Sequence, residues 1–167
     1  MTISRLVIRR LERRDDRGAF ECADAVLTDW SRRYAWQNQA GENAIAFVAI
    51  DGDSVVGYYS IAMSSAGRHS VPDSLGGGRP RQVPCILLGR LAVAAEAEGR
   101  GLGRALLRDA LLRAVMLSES IGAAAVLINA VNTRDRDFYM HNGDFIQSPL
   151  DELQLMVPIC QIRRFLR

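Results

Sequence analysis

A chain of 167 residues, 49% hydrophobic and 24% charged, has the size and balance of one globular domain spanning 1–167. The net charge of +2 excludes a global basic field, and no apolar stretch reaches membrane-spanning length without charge. No signal-peptide pattern opens the chain, and Cys22, Cys85 and Cys160 lie far apart without CxxC spacing, which predicts free thiols in a reducing cytoplasm.

Ile3 to Leu11 alternates in part, through Leu6 and Ile8, and predicts a first strand. The run R-R-L-E-R-R-D-D-R that overlaps its end reads as a solvated loop or helix start. Ala19 to Asn38 predicts a helix, because Ala23, Leu27, Trp30 and Tyr34 fall at spacings of four, three and four. Asp24 and Thr28 are candidate caps or breaks in it, Arg32 and Arg33 lie off its stripe, and Gly41 ends it as a C-terminal glycine would. Ala44–Ile50 and Ser54–Ser60 flank D-G-D and predict a hairpin, with the second run, V-V-G-Y-Y-S-I-A-M, central. Ser64 to Pro84 is rich in Gly, Pro, Ser and Arg and predicts a mobile loop with a short helical turn. His69 in this stretch has no second His or Cys nearby, and no metal site is expected.

Ile86 to Val93 is a short apolar run with β-branched ends and predicts a buried strand. Leu102 to Ile121 predicts a helix with a stripe of Leu107, Ala110, Ala114, Leu117 and Ile121, closed by Gly122. Between the two sits E-G-R-G-L-G-R. A strand that turns through glycines into a helix makes an anion site, because the amides of the first turn are free and the helix dipole favours negative charge. The plain alternative is a glycine-rich turn before a helix. A P-loop is excluded, since no G-K-[ST] follows, and the spacing is not the G-x-G-x-x-G of dinucleotide folds. All basic side chains are Arg, with no Lys, so anions here will meet guanidinium forks.

Ala123 to Val131 predicts a strand, Arg134 to His141 a short helix capped by Thr133 or Asp135, and H-N-G-D a turn. Phe145 and Leu153–Ile159 predict a closing hairpin across S-P-L-D-E, and I-R-R-F-L-R a basic tail. The order β-α-β-β-β-α-β-α-β-β is that of an α/β protein with a mixed sheet.

V-A-A-E-A-E-G-R-G-L-G-R-A-L-L resembles motif A of the GNAT acetyltransferases, whose pattern is Q/R-x-x-G-x-G/A. The resemblance implies a GNAT fold, a central, mostly antiparallel mixed sheet flanked by helices, with acetyl-CoA as cofactor. It implies a pyrophosphate cradle of Glu98, Gly99, Arg100, Gly101, Leu102, Gly103 and Arg104. Glu98 stands where the family has Gln or Arg, which bears on a side-chain contact and not on the backbone cradle. Leu91, Ala92 and Val93 would hold the pantetheine arm through the main chain. Asn132 could bond the pantetheine or cap the next helix, and Phe138 would face the cofactor.

F-E-C-A-D-A-V-L-T-D-W-S-R-R-Y-A-W-Q-N-Q is similar to the opening of the GNAT toxins of toxin–antitoxin modules. V-V-G-Y-Y-S-I-A, L-L-G-R-L-A-V and F-Y-M-H-N-G-D-F-I-Q-S-P-L follow in that family's order, the last with one extra residue between Tyr139 and Pro149. The resemblance implies acetylation of the α-amine of aminoacyl-tRNA, a block on translation, a ribbon-helix-helix antitoxin and a homodimer. Tyr139 matches the family's tyrosine acid; a packed core tyrosine is the plain alternative. An α-amine, with a pKa of about 7.7–8.0, is deprotonated without a strong base, and an amide near Val93 could hold the oxyanion. Arg90 could face the acceptor or close a structural salt bridge. Arg32, Arg33, Arg79 and Arg81 are candidates for tRNA phosphates, against the alternative of solvated surface arginines. The rival functions are a GNAT enzyme for a small-molecule amine or protein N-terminus, which would share the cofactor site, and a binding module without catalysis.

Overall fold

The computed structural model describes residues 6–75 and 77–165. Residues 3–5 of the expected first strand, residue 76 of the expected loop and residues 166–167 of the expected tail lie outside the described residues. Among the described residues, seven strands form one sheet in the order β1-β2-β3-β4-β5-β7-β6. They are β1 (Leu6–Arg10), β2 (Ile45–Asp51), β3 (Ser54–Gly67), β4 (Gln82–Val93), β5 (Ala125–Asn129), β6 (Ile146–Gln147) and β7 (Gln154–Pro158). The helices are α1 (Ala25–Asp29), α2 (Ala35–Ala40), α3 (Leu102–Ser118), α4 (Thr133–Asn142) and α5 (Ile159–Phe165). β4 and β5 are parallel; β1–β2, β2–β3, β5–β7 and β6–β7 are antiparallel. The α/β class and the mixed, mostly antiparallel sheet are those predicted.

The chain divides into two compact units, Met1–Ala62 with Gly89–Ala110, and Met63–Leu88 with Leu111–Arg167. In the first, the D-G-D hairpin forms as expected, with Asp51 opposite Ser54 and Gly52 left-handed at φ 64°. The predicted long helix does not. The chain becomes helical only at Ala25, where the Asp24 carboxylate accepts from the amides of Val26 and Leu27 (2.8 and 3.2 Å). Trp30–Tyr34 is then a π turn, in which the Ala35 amide donates five residues back to the Trp30 carbonyl. That extra residue shifts the phase of the stripe. Thr28, Trp30, Ser31, Ala35 and Gln39 are buried, while Tyr34, expected inside, is 44% exposed and Ala23 is exposed. Gly41 does end α2, but with φ −84°; the left-handed residue is Glu42 at φ 61°.

Gln39 latches α2 to the strands. Its amide donates to the Leu11 carbonyl (2.8 Å) and accepts from the Ala46 amide (3.1 Å). A buried amide so satisfied fixes strand entry at little cost. Gly57, on β3, lets α3 settle onto the sheet. A Cβ there would stand 2.9 Å from Leu106 Cδ1 and 3.1 Å from the Ala92 carbonyl.

The second unit corrects the expected loop. β3 runs on to Gly67 and β4 begins at Gln82, with single 3-10 turns at Arg68–Ser70 and Asp73–Leu75 between them. Val71 and Leu75 are buried with Ala66, Val83, Cys85, Leu127 and Met156. Ser148 Oγ donates to the Ser70 carbonyl at 2.6 Å. Two apolar anchors in a polar stretch outweigh its composition. α3 ends at Ser118, four residues before Gly122, and Leu117 and Ile121 are 42% and 46% exposed. The expected tail is mostly helix: α5 buries Ile159 and Ile162, and the Ile159 amide donates to the Ala124 carbonyl at 3.0 Å.

Candidate functional site

The glycine loop has the geometry of an anion cradle. Gly99 and Gly101 take φ 79° and 77°, a left-handed backbone that side-chain-bearing residues avoid. A Cβ at either would meet nothing within 4 Å, so both face open space. The first bond of α3 runs from the Ala105 amide to the Gly101 carbonyl (3.1 Å). The amides ahead of it, at Leu102, Gly103 and Arg104, have no partner inside the helix, and they sit where its dipole is positive. Alternating left-handed glycines before such a helix form a concavity of amides that suits a phosphate. Glu98, Arg100 and Arg104 are exposed around it. Buried Leu102 and Leu106 hold the helix in place.

The loop is hung from β4. The Ala94 amide bonds the Val56 carbonyl (2.8 Å), and the Ala95 amide bonds the Glu21 carbonyl (2.9 Å). The β4–β5 ladder covers Cys85–Leu87 alone, so Leu91, Ala92 and Val93 continue without β5 as partner. Main-chain groups in that position need another acceptor or donor, and an extended amide-bearing ligand arm supplies both.

Beside this strand stands an aromatic column. The Arg90 guanidinium carbon lies 4.2 Å from the centroid of Trp30. Trp30 stacks on Tyr58 (5.7 Å, 16°), and Phe20 meets Tyr58 edge-on (5.5 Å, 72°). The Tyr58 hydroxyl donates to the Leu27 carbonyl at 2.7 Å. Burial pushes its pKa well above the ordinary phenol value, with the nearby Cys22 adding to the effect, so it remains a donor. Arg90 makes no salt bridge among the described residues, which decides against the structural-pair alternative. Its stack leaves the rim of N–H donors free. Below α3, the Tyr59 hydroxyl donates to Asp109 Oδ2 at 2.5 Å.

In the second unit, α4 is capped by Asn132, not by Thr133 or Asp135. Its side chain accepts from the Asp135 amide (2.8 Å), while Asp135 reaches back to the Val131 amide (3.1 Å). That answers one of the two roles left open for Asn132. Tyr139 is 4% exposed, packed edge-on against Phe138 (5.1 Å, 69°) and Phe145 (6.0 Å, 70°). Burial first, and Asp135 second, push its pKa far above the ordinary phenol value. Its hydroxyl has no hydrogen-bond partner among the described residues. Gly143 makes room for this cluster, since a Cβ there would lie 2.6 Å from the Phe145 ring.

Of the arginines expected at phosphates, three have structural duties. Arg32 Nε donates to the Phe20 carbonyl (2.9 Å), Arg33 pairs with Asp29 (2.9 Å), and Arg79 Nε donates to the Leu75 carbonyl (3.1 Å). Arg81 is exposed. The Arg90–Trp30 stack was not legible beforehand, because 60 residues separate its members; a guanidinium two positions before Ala92 was the only hint. Among the described residues there is no group of three His, Cys, Asp or Glu placed to hold a metal, and no helix long and apolar enough to cross a membrane.

A mixed sheet whose fourth strand passes through left-handed glycines into the N-terminus of a helix is an α/β architecture with room for an anion at that turn. Residues 42–143 match the model of the acetyltransferase (GNAT) domain. The chain is 40% identical to the tRNA-acetylating toxin of Mycobacterium tuberculosis (strain ATCC 25618 / H37Rv) over 149 residues, 89% of each chain. It is similar to the structure of AtaT complexed with acetyl-methionyl-tRNAfMet, at TM-score 0.90 and 23% identity over 98% of this chain and 100% of that one. A mutant AtaT toxin bound to the C-terminus of the antitoxin AtaR and acetyl-CoA superposes at TM-score 0.83, with 22% identity over 97% and 98% of the two chains. This chain belongs to the acetyltransferase (GNAT) domain family, and it is an acetyltransferase.

Proposed function

We propose that this acetyltransferase moves the acetyl group of acetyl-CoA to the α-amine of aminoacyl-tRNA, and so stops translation as the toxin of a toxin–antitoxin pair. The observation that carries the reading is the 40% identity to a tRNA-acetylating toxin over 89% of both chains. The left-handed Gly99 and Gly101, open to solvent ahead of α3, support a pyrophosphate cradle at Glu98–Arg104. Acetyl-CoA supplies an activated thioester when bound. Leu91, Ala92 and Val93 orient its pantetheine arm, and the Val93 region offers an amide to the developing oxyanion. Asn132 serves as the α4 cap that sets Phe138 and Tyr139 in place.

The acceptor must attack as a neutral amine. At about 7.7–8.0 the ordinary α-amine pKa is near neutrality, and the adjacent ester lowers it by electron withdrawal. Water or a main-chain carbonyl is then base enough, and no histidine is needed. Tyr139 is the general acid that protonates the leaving thiolate. A phenol is protonated at neutral pH and so has a hydrogen to donate. Arg81 and Arg90 reach the tRNA, whereas Arg32, Arg33 and Arg79 first shape the protein and meet phosphate only through their remaining N–H groups.

The same reading extends to a ribbon-helix-helix antitoxin, to a homodimer and to a cytoplasmic location with the whole chain, 1–167, working as one domain. Exposed Leu112, Met116 and Leu117 on α3 suit a subunit contact. Free Cys22, Cys85 and Cys160 suit a reducing compartment. Mass spectrometry of charged tRNA after incubation with protein and acetyl-CoA tests the function. One acetyl group on the α-amine is expected. Untouched charged tRNA, with acetylation of a free amine or protein N-terminus instead, would replace this reading.

A further inference from the structure

A depression of about 420 Å³ lies at the end of β1, lined by Arg9, Arg10, Leu11, Glu12, Arg13, Trp36 and Gln39. Its volume is within the usual span of about 300–1,000 Å³ for small-ligand sites. Much of its polar lining is already occupied. Arg9 holds Asp15 with two bonds of 2.7 and 2.8 Å, Glu12 pairs with Arg14, and Gln39 is the α2 latch. Three groups remain. Arg10 and Arg13 are exposed and have no side-chain partner among the described residues, and the half-buried indole of Trp36 stacks on no other ring there.

Two unspent guanidinium groups beside an unspent indole match one chemistry closely. A carboxylate-bearing peptide would use the cations and leave the indole face bare. A nucleotide uses both, stacking its base on the indole while its phosphates meet the arginine forks. We infer that Arg10, Arg13 and Trp36 form an RNA-binding subsite that takes one unpaired nucleotide and its flanking phosphates. The inference rests on the aminoacyl-tRNA reading for the source of that RNA. It adds a contact that none of the sequence-predicted arginines provides, on elements outside the glycine loop.

Intrinsic fluorescence offers a direct test, because the chain has two tryptophans. Trp30 is 7% exposed and enclosed by Arg90 and Tyr58, whereas Trp36 lines the depression. Uncharged tRNA titrated into the protein should quench the emission, and Trp36→Phe should lose most of that quench, leaving only what Trp30 contributes beneath Arg90. Trp36→Ala should raise the Kd roughly tenfold, the effect of one lost base stack. Arg10→Gln and Arg13→Gln should each flatten the slope of log K against log salt by about 0.7. A quench undiminished in Trp36→Phe, or a Kd and salt slope untouched by all three other variants, overturns the subsite. Acetylation of charged tRNA by the wild type is scored separately. Acetylation without the Trp36 effects sinks this inference alone, and Trp36 quenching without acetylation sinks the enzymatic reading alone.

Discussion

Arg90 lies flat over Trp30, its guanidinium carbon 4.2 Å from the ring centroid, with no carboxylate pairing it among the described residues. A cation held by a ring and not by an acid keeps its charge available to a ligand. Trp30 can play this part because the π turn and Tyr58 fix its plane.

Arg90→Lys keeps the charge and loses the planar stack. A hydrogen bond to the ligand lost with the guanidinium fork costs about 0.5–2 kcal/mol of binding. The KM for charged tRNA should therefore rise roughly two- to thirtyfold, while the Kd for acetyl-CoA holds. Steady-state kinetics with each substrate varied in turn separates the two. An unchanged KM would make the stack purely structural.

Gly101→Asp puts a carboxylate in the proposed phosphate cradle and a side chain on a backbone at φ 77°. Acetyl-CoA affinity by calorimetry should drop at least tenfold, about 1.4 kcal/mol. Circular dichroism establishes that the variant folds. Because a Cβ at this position meets open space, strain should cost some stability without a clash.

Tyr139→Phe removes one hydroxyl and keeps the ring against Phe138 and Phe145. Folding and acetyl-CoA binding should hardly change, because that hydroxyl bonds no described residue. Turnover should fall by roughly 10²–10⁴, the usual worth of a general acid. In cells the variant should no longer arrest growth but should still bind its antitoxin. Wild-type turnover with both substrates saturating would move the acid to another group or to water.

Asp15→Asn should cost stability on the order of 1–2 kcal/mol near neutral pH, allowing for screening by solvent. The two bonds from Arg9 hold the Asp15 carboxyl below the usual carboxylate range. A depressed folded-state pKa gives stability that is fully present above the unfolded value, roughly 3.9, and is lost as pH falls through the lower folded value. The gap between the denaturant melts of the two proteins should thus start to shrink below about pH 4 and close only below the depressed folded value. A gap that stays constant down to pH 2 would show that the ion pair is not its source.

The chain by itself determined the order of elements, the D-G-D hairpin and the strand–glycine–helix unit. Each rests on local information: a period of two or of 3.6, a turn residue needing positive φ, and amides that a helix start leaves free. The resemblance added the acetyl-CoA reading and Tyr139 on the same local motifs. Tertiary structure decided what local patterns leave degenerate. The π turn rotated Ala35 inward and Tyr34 outward, because Trp30 packs on Tyr58, 28 residues away. Val71 and Leu75 turned a polar stretch into an anchored one, since burial of two side chains depends on Val83, Leu127 and Met156 being there to receive them. Arg32, Arg33 and Arg79 were drawn into structural bonds, and Arg10, Arg13 and Trp36 came to line one depression. Which arginines are spent and which remain free is a property of distances between remote residues, and a one-dimensional spacing carries no record of those distances.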